Sequence, residues 1–182
     1  MKRSEINSAV QEAEKTFERH FWILPPEPRW DVTDFGLGDF SRKGLVLINL
    51  AEEPEYCEKI MYVRKGQVTP RHYHKQKKED IICRFGRLAV RFFSDEPCVS
   101  VQINGTRQDI PAEEELVLES GWRVTLEPYM DHEFYAQSDY AIVGEVSTAN
   151  DDTADNFFAD PEVGRFSEIE EDEPPIVSLV SD

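Results

Sequence analysis

The chain has no long apolar run, few cysteines and little positive charge, and each shortage excludes something. Nowhere in its 182 residues does a hydrophobic segment approach the roughly 20 residues that a helix needs to cross a bilayer. The start, MKRSEINSAVQEAEKTFERHF, is charged but carries no apolar stretch behind it, so it does not read as a secretory signal. Three cysteines, Cys57, Cys83 and Cys98, form neither a CxxC pair nor an even framework, and a reducing cytoplasm is the expected setting. Against 37 Asp and Glu stand 20 Lys and Arg, a formal charge of -17. From Glu145 onward twelve acids face a single base, Arg165. Such a surface repels phosphate backbones and anionic lipid, so neither a nucleic-acid nor a membrane partner is expected. Arginine clusters and phosphate-cradling glycine loops are also missing, which disfavours phosphorylated ligands and leaves a neutral small molecule or a cation.

What is present suffices for one core: 40% of the residues are hydrophobic. SEINSAVQEAEKTFERHF reads as a helix, with Ser4 placed to cap it, Asn7 at the capping-box position, and Ile6, Val10, Ala13 and Phe17 on one face. The prolines of ILPPEPRWDV break that helix and open an irregular arm. Short strands then follow one another. GLVLINL and EKIMYVRKG are two, and IICRFG turns at Gly86 into RLAVRFF. CVSVQING turns at Asn104-Gly105, EELVLESGWRVTLEP folds back at Ser120-Gly121, and HEFYAQSDYAIVGEV supplies a final pair. Strands recurring about every ten residues with few helices between them predict an all-β antiparallel sandwich or barrel. The expected division is a helix and arm over 1–43, a barrel over 44–160 and an acidic tail over 161–182, whose run Ile176 to Val180 is a candidate edge strand.

The chemistry centres on GQVTPRHYHKQKKEDIICRFG. On a strand, residues two apart share a face, so His72 and His74 project together and Tyr73 points away. After the polar turn KQKK, Glu79, Ile81, Cys83 and Phe85 share a face by the same parity, which returns Glu79 towards the histidines. Two neutral imidazoles and a carboxylate suit a divalent ion. A fourth ligand is expected from His132 in EPYMDHEF, on a strand whose His132, Phe134 and Ala136 face inward. His20, on the helix beside aromatic residues, reads as packing or surface. Glu145 follows Ala141 and Val143 on one strand face; it is either a solvated strand end or a buried general base. Lys77 belongs by residue type to a solvated turn.

The spacing Gly66-x5-His72-x-His74-x4-Glu79-x6-Gly86 is similar to the first signature motif of the cupin superfamily, and implies a cupin-type double-stranded β-helix, a jelly-roll barrel with an N-terminal helix. The second cupin motif is looser: Pro128-Tyr-Met-Asp-His132 is one residue short and lacks the glycine, and the motif's later asparagine is absent. Over most of its length the chain resembles the D-lyxose isomerase family of aldose–ketose isomerases. That resemblance rests on HYHKQKKEDIICRFG, PYMDHEF and GEVSTANDDTADNFF…GRFSEIEEDE. It implies manganese-dependent interconversion of D-lyxose and D-xylulose, with D-mannose and D-fructose as a second pair, through a metal-stabilised enediol. It places the metal on His72, His74, Glu79 and His132, the base on Glu145 and a supporting lysine on Lys77. Co2+, Fe2+ or Zn2+ are alternative ions, and a homodimer is expected. An iron-dependent cupin dioxygenase and a non-catalytic sugar-binding cupin are the rival readings.

Overall fold

A computed structural model describes residues 1–164 and 168–182; Arg165, Phe166 and Ser167, in the acidic tail and the GRFSEIEEDE stretch, lie outside the described residues. The predicted turns fall where expected. Asn104 and Gly105 both take positive φ, 50° and 79°, and join β7 (Cys98–Ile103) to β8 (Thr106–Pro111). Gly86, at φ 86°, joins β5 (Glu79–Phe85) to β6 (Arg87–Phe93). The other predicted strands are β2 (Leu45–Glu52), β3 (Tyr56–Arg64), β9 (Glu115–Glu119), β10 (Arg123–Leu126), β11 (Asp131–Ala136) and β12 (Tyr140–Thr148). Three short strands add to these: β1 (Arg29–Thr33), β4 (His72–Tyr73) and β13 (Phe157–Phe158). They pair antiparallel into two sheets, in the orders β1-β2-β3-β12-β5-β10-β7-β8 and β13-β4-β11-β6-β9, the expected all-β jelly roll.

Alternation sorts each strand between two apolar layers. Leu45 and Leu47 of β2, Met61 and Val63 of β3, and Ala141 and Val143 of β12 point between the sheets, where they meet Leu88, Val90 and Phe92 of β6 and Phe134 of β11. Their neighbours Val46, Ile48, Ile60, Tyr62 and Ile142 face outward and are covered by the helix α1 (Arg3–Arg19) through Ile6, Val10, Ala13 and Phe17. Full burial of each larger apolar side chain contributes about 1.5–3 kcal/mol.

Three local expectations change. The residue capping α1 is Lys2, with no side-chain cap bond, and Ser4 lies inside the first turn. The helix starts there because the tail satisfies its free N–H groups: Arg3 N donates to the Glu170 carbonyl at 2.9 Å and Ser4 N to Asp172 Oδ1 at 2.9 Å. Asn7 donates its amide to Glu173 and to the Pro174 carbonyl rather than closing a capping box. The arm is irregular as expected over residues 23–28, but from Arg29 it becomes β1, made a strand by pairing with β2 from Arg29↔Asn49 to Thr33↔Leu45. Of the run Ile176 to Val180, Leu179 forms a parallel bridge with Trp30 in the same chain.

Candidate metal centre and catalytic cavity

A cavity opens between the sheets where β4, β5, β11 and β12 converge, and its wall includes His72, His74, Lys77, Glu79, His132 and Glu145. Register places each. His132 of β11 lies directly opposite His72 of β4, and Phe158 of β13 holds the other side of His72. Glu79 opens β5 opposite Ser147 and Leu126, and Glu145 pairs with Ile81, one inward step along the same face. The ligand atoms of His72, His74 and Glu79 lie within 4.8 Å of one another. His132 adjoins them, its Nε2 3.5 Å from Glu79 Oε1.

Each imidazole is oriented by a backbone carbonyl. Nδ1 of His72 contacts Pro70 O at 2.8 Å, that of His132 contacts Met130 O at 2.9 Å, and that of His74 contacts Asp155 O. A carbonyl can only accept, so each Nδ1 carries a proton, which leaves Nε2 as the ring nitrogen available to a ligand. Burial, with the neighbouring histidines, pushes His72 well below its usual range; burial also lowers His132 against the pull of Glu79.

The result is a cluster of acceptors aimed at one another. Nε2 of His74 and of His132 lie 3.6 and 3.5 Å from Glu79 Oε1. All three atoms are buried without a hydrogen-bond partner. Lone pairs gathered this way in a dry interior repel and lose their hydration unless a cation sits among them. The donor set therefore fits a divalent metal, with imidazole nitrogens and a carboxylate oxygen as ligands.

Beside this cluster runs a second, charged one. Lys77 Nζ lies 2.8 Å from Glu79 Oε2 and 3.1 Å from Glu145 Oε1. Burial works to lower Lys77, but the charges of Glu145 and Glu79 outweigh it and hold the ammonium far above its usual range. Lys59 stands directly across β3 from Glu145, its Nζ 3.8 Å from Glu145 Oε1 and 3.6 Å from Asp152 Oδ1. Burial likewise opposes its charge, and Glu145 with Asp152 restores it. Glu145 is therefore buried, 5% exposed, and not a solvated strand end; two ammonium groups lie within ion-pair distance of its Oε1.

The six expected site residues thus come together around one cavity. Lys77 is not a solvated turn lysine, and at 4% exposure it is as buried as Glu79. His20 packs outside as expected, its ring tilted against Phe85 with centroids 3.6 Å apart and bonded to the Tyr140 hydroxyl. Phe85 departs from its predicted face because the β5–β12 register shifts between Ile142 and Val143. Lys59, Asp152 and Asp155 were not read from the sequence. A signal existed for Lys59, which shares parity with the inward Met61 and Val63.

A sequence model of the family described as D-lyxose isomerase matches residues 27–182. The D-lyxose/D-mannose isomerase of Serratia proteamaculans is 38% identical, over 96% of this chain and 94% of the relative. The protein of the same name from Escherichia coli O157:H7 is 35% identical, over 100% and 98%. Among solved structures, the L-ribose isomerase of Acinetobacter sp. DL28 in complex with L-ribose superposes with a TM-score of 0.72 at 16% identity, covering 93% of this chain and 98% of that one. At that identity the likeness shows the fold.

Proposed function

Because this chain belongs to the D-lyxose isomerase family, we propose that it interconverts D-lyxose and D-xylulose, and D-mannose and D-fructose, with a manganese ion on His72, His74, Glu79 and His132. The observation that carries the metal is the set of three buried, partnerless acceptor atoms on His74, His132 and Glu79. A divalent ion bound there supplies Lewis acidity, making the sugar carbonyl more electrophilic and the adjacent C–H more acidic.

The rest belongs to the side chains. Glu145, set between Lys77 and Lys59, removes the proton from C2 of the open-chain aldose and returns it to C1. A second proton passes from O2 to O1, so the aldehyde becomes a primary alcohol and the neighbouring alcohol a ketone with no outside oxidant. Lys77, held protonated by two carboxylates, acts as a fixed positive charge beside the developing oxyanion, not as a proton carrier. Apolar walls from Leu47, Met61 and Phe158 exclude water from the exchange.

Glu145→Gln tests the assignment. Metal content is expected to stay at the wild-type level while kcat falls by roughly 10²–10⁴-fold. Near-normal turnover in this variant would remove Glu145 from the mechanism. The reading also includes a cytoplasmic homodimer. Phe21 and Ile23, 93% and 95% exposed after α1, support it as apolar surface that a second copy would cover.

A further inference from the structure

Ten residues after Glu145, the loop that leaves β12 doubles back under the metal-binding hairpin. Asp151 shapes it: Oδ1 accepts from the backbone N–H groups of Thr153 and Ala154 and from the Thr153 hydroxyl, and the Asp151 carbonyl accepts from Asp155 N. The turn delivers Asp155, a carboxylate only 4% exposed, to the start of the KQKK segment. There its oxygens accept from three successive backbone N–H groups: Lys75 to Oδ1 at 2.8 Å, Gln76 to Oδ1 and Oδ2 at 3.2 and 3.1 Å, and Lys77 to Oδ2 at 2.9 Å. The carbonyl of the same residue accepts from His74 Nδ1.

One residue thus touches the two ends of the turn that matter. Its carbonyl fixes the tautomer and rotation of His74, whose Nε2 then faces Glu79. Its carboxylate ties down the backbone from which Lys77 reaches Glu79 and Glu145. Four residues of irregular chain separate His74 from Glu79. Without a clamp, a turn of that length carrying three lysines would sample many conformations. Hydrogen bonds from N–H to a carboxylate are the stronger kind, and three on one side chain define a single backbone path.

We propose that Asp155 is a positioning residue that holds His74 and Lys77 in the geometry the reaction needs, coupling metal binding to the placement of the catalytic lysine. The proposal rests on the isomerase reading for its kinetic consequences, while its effect on metal binding is independent of any turnover. Asp155 does not line the cavity and acts through the two residues it orients.

The test compares Asp155→Ala and Asp155→Asn with the wild-type chain. Mn2+ is titrated into metal-stripped protein by calorimetry, and kcat and KM for D-lyxose are measured at saturating Mn2+. Asp155→Ala is expected to weaken Mn2+ binding by roughly 10–100-fold. It is also expected to lower kcat by on the order of tenfold or more while KM stays within about twofold, since the sugar's ground-state contacts are elsewhere. Asp155→Asn, which keeps one acceptor oxygen, should fall between. A thermal unfolding midpoint near wild type for Asp155→Asn separates positioning from a loss of fold. Wild-type Mn2+ affinity and kcat in Asp155→Ala overturn the proposal, as does a kcat loss that vanishes when normalised to folded protein. An inactive wild type that binds Mn2+ with Asp155-dependent affinity sinks the isomerase reading and leaves this one standing; a wild type that takes up no divalent ion overturns both.

Discussion

Lys77 is where electrostatics and chemistry meet on one atom. Its Nζ lies within ion-pair distance of the proposed ligand Glu79 and of the proposed base Glu145, and all three side chains are almost wholly buried. Removing one member of such a set strands the others, and uncompensated buried charge costs about 3–5 kcal/mol. Lys77→Met, which keeps most of the stem volume, is expected to lose stability on that scale in urea unfolding. Its kcat should drop by on the order of 10²–10³-fold, the usual effect of deleting one group that stabilises a developing oxyanion. Unchanged stability and turnover would show that the two carboxylates do not depend on it. At this scale the clustering of His72, His74 and Glu79 was legible because period-two spacing and the hairpin between His74 and Glu79 are local. Lys77 itself was not legible by type: KQKK reads as solvated, and its burial arises from a loop about 80 residues later. Asp152 and Asp155 were hidden for the same reason, as members of an acidic run whose partners are remote in sequence.

Elements were easier to read than their edges. Turn residues announced most strands, and the two glycines that flank the metal-binding motif show why spacing carries information. Gly66 and Gly86 both take left-handed backbone, at φ 91° and 86°. A Cβ at Gly66 would meet open space, whereas one at Gly86 would lie 2.5 Å from Ser138 Oγ and 2.6 Å from the Tyr140 carbonyl oxygen. Gly66→Ala should therefore cost only the backbone preference, about 1–2 kcal/mol. Gly86→Ala adds a clash with backbone of the β11–β12 turn and should cost about 2–5 kcal/mol. Equal losses in denaturant titrations of the two variants would refute this account of the motif. The strand missed in sequence, β1, has prolines just before it and no hairpin to announce it; only its ladder with β2 defines it. Phe85 was misplaced because a register irregularity cannot be seen in an alternation pattern.

Across the whole molecule, the surplus of acid is partly structural. Glu171 and Asp182 bond to the buried Arg3, and Asp172 bonds to Ser4, so the end of the chain clamps the start of α1. Arg3 holds Glu171 below the usual carboxylate range, Ser4 does so for Asp172, and the Leu179 N–H does so for Asp182. Carboxyls whose folded values are depressed contribute stability above their unfolded values and lose it as pH falls through the folded ones. The unfolding temperature is therefore expected to drop as pH is lowered below about 4. The drop should be smaller in Arg3→Met, in which the Glu171 and Asp182 contacts are already gone; parallel curves for the two proteins would show that the clamp adds nothing. None of this was visible in sequence, where contact partners 168 residues apart look like a charged head and a charged tail. Between the sheets, the proposed metal ligands share one cavity with Glu145. The central claim, manganese-dependent isomerisation there, is tested most directly by incubating metal-stripped protein with D-lyxose, with and without Mn2+, and identifying the products. D-xylulose formed only when Mn2+ is present is the predicted result. No ketose from D-lyxose or D-mannose under either condition would contradict the account.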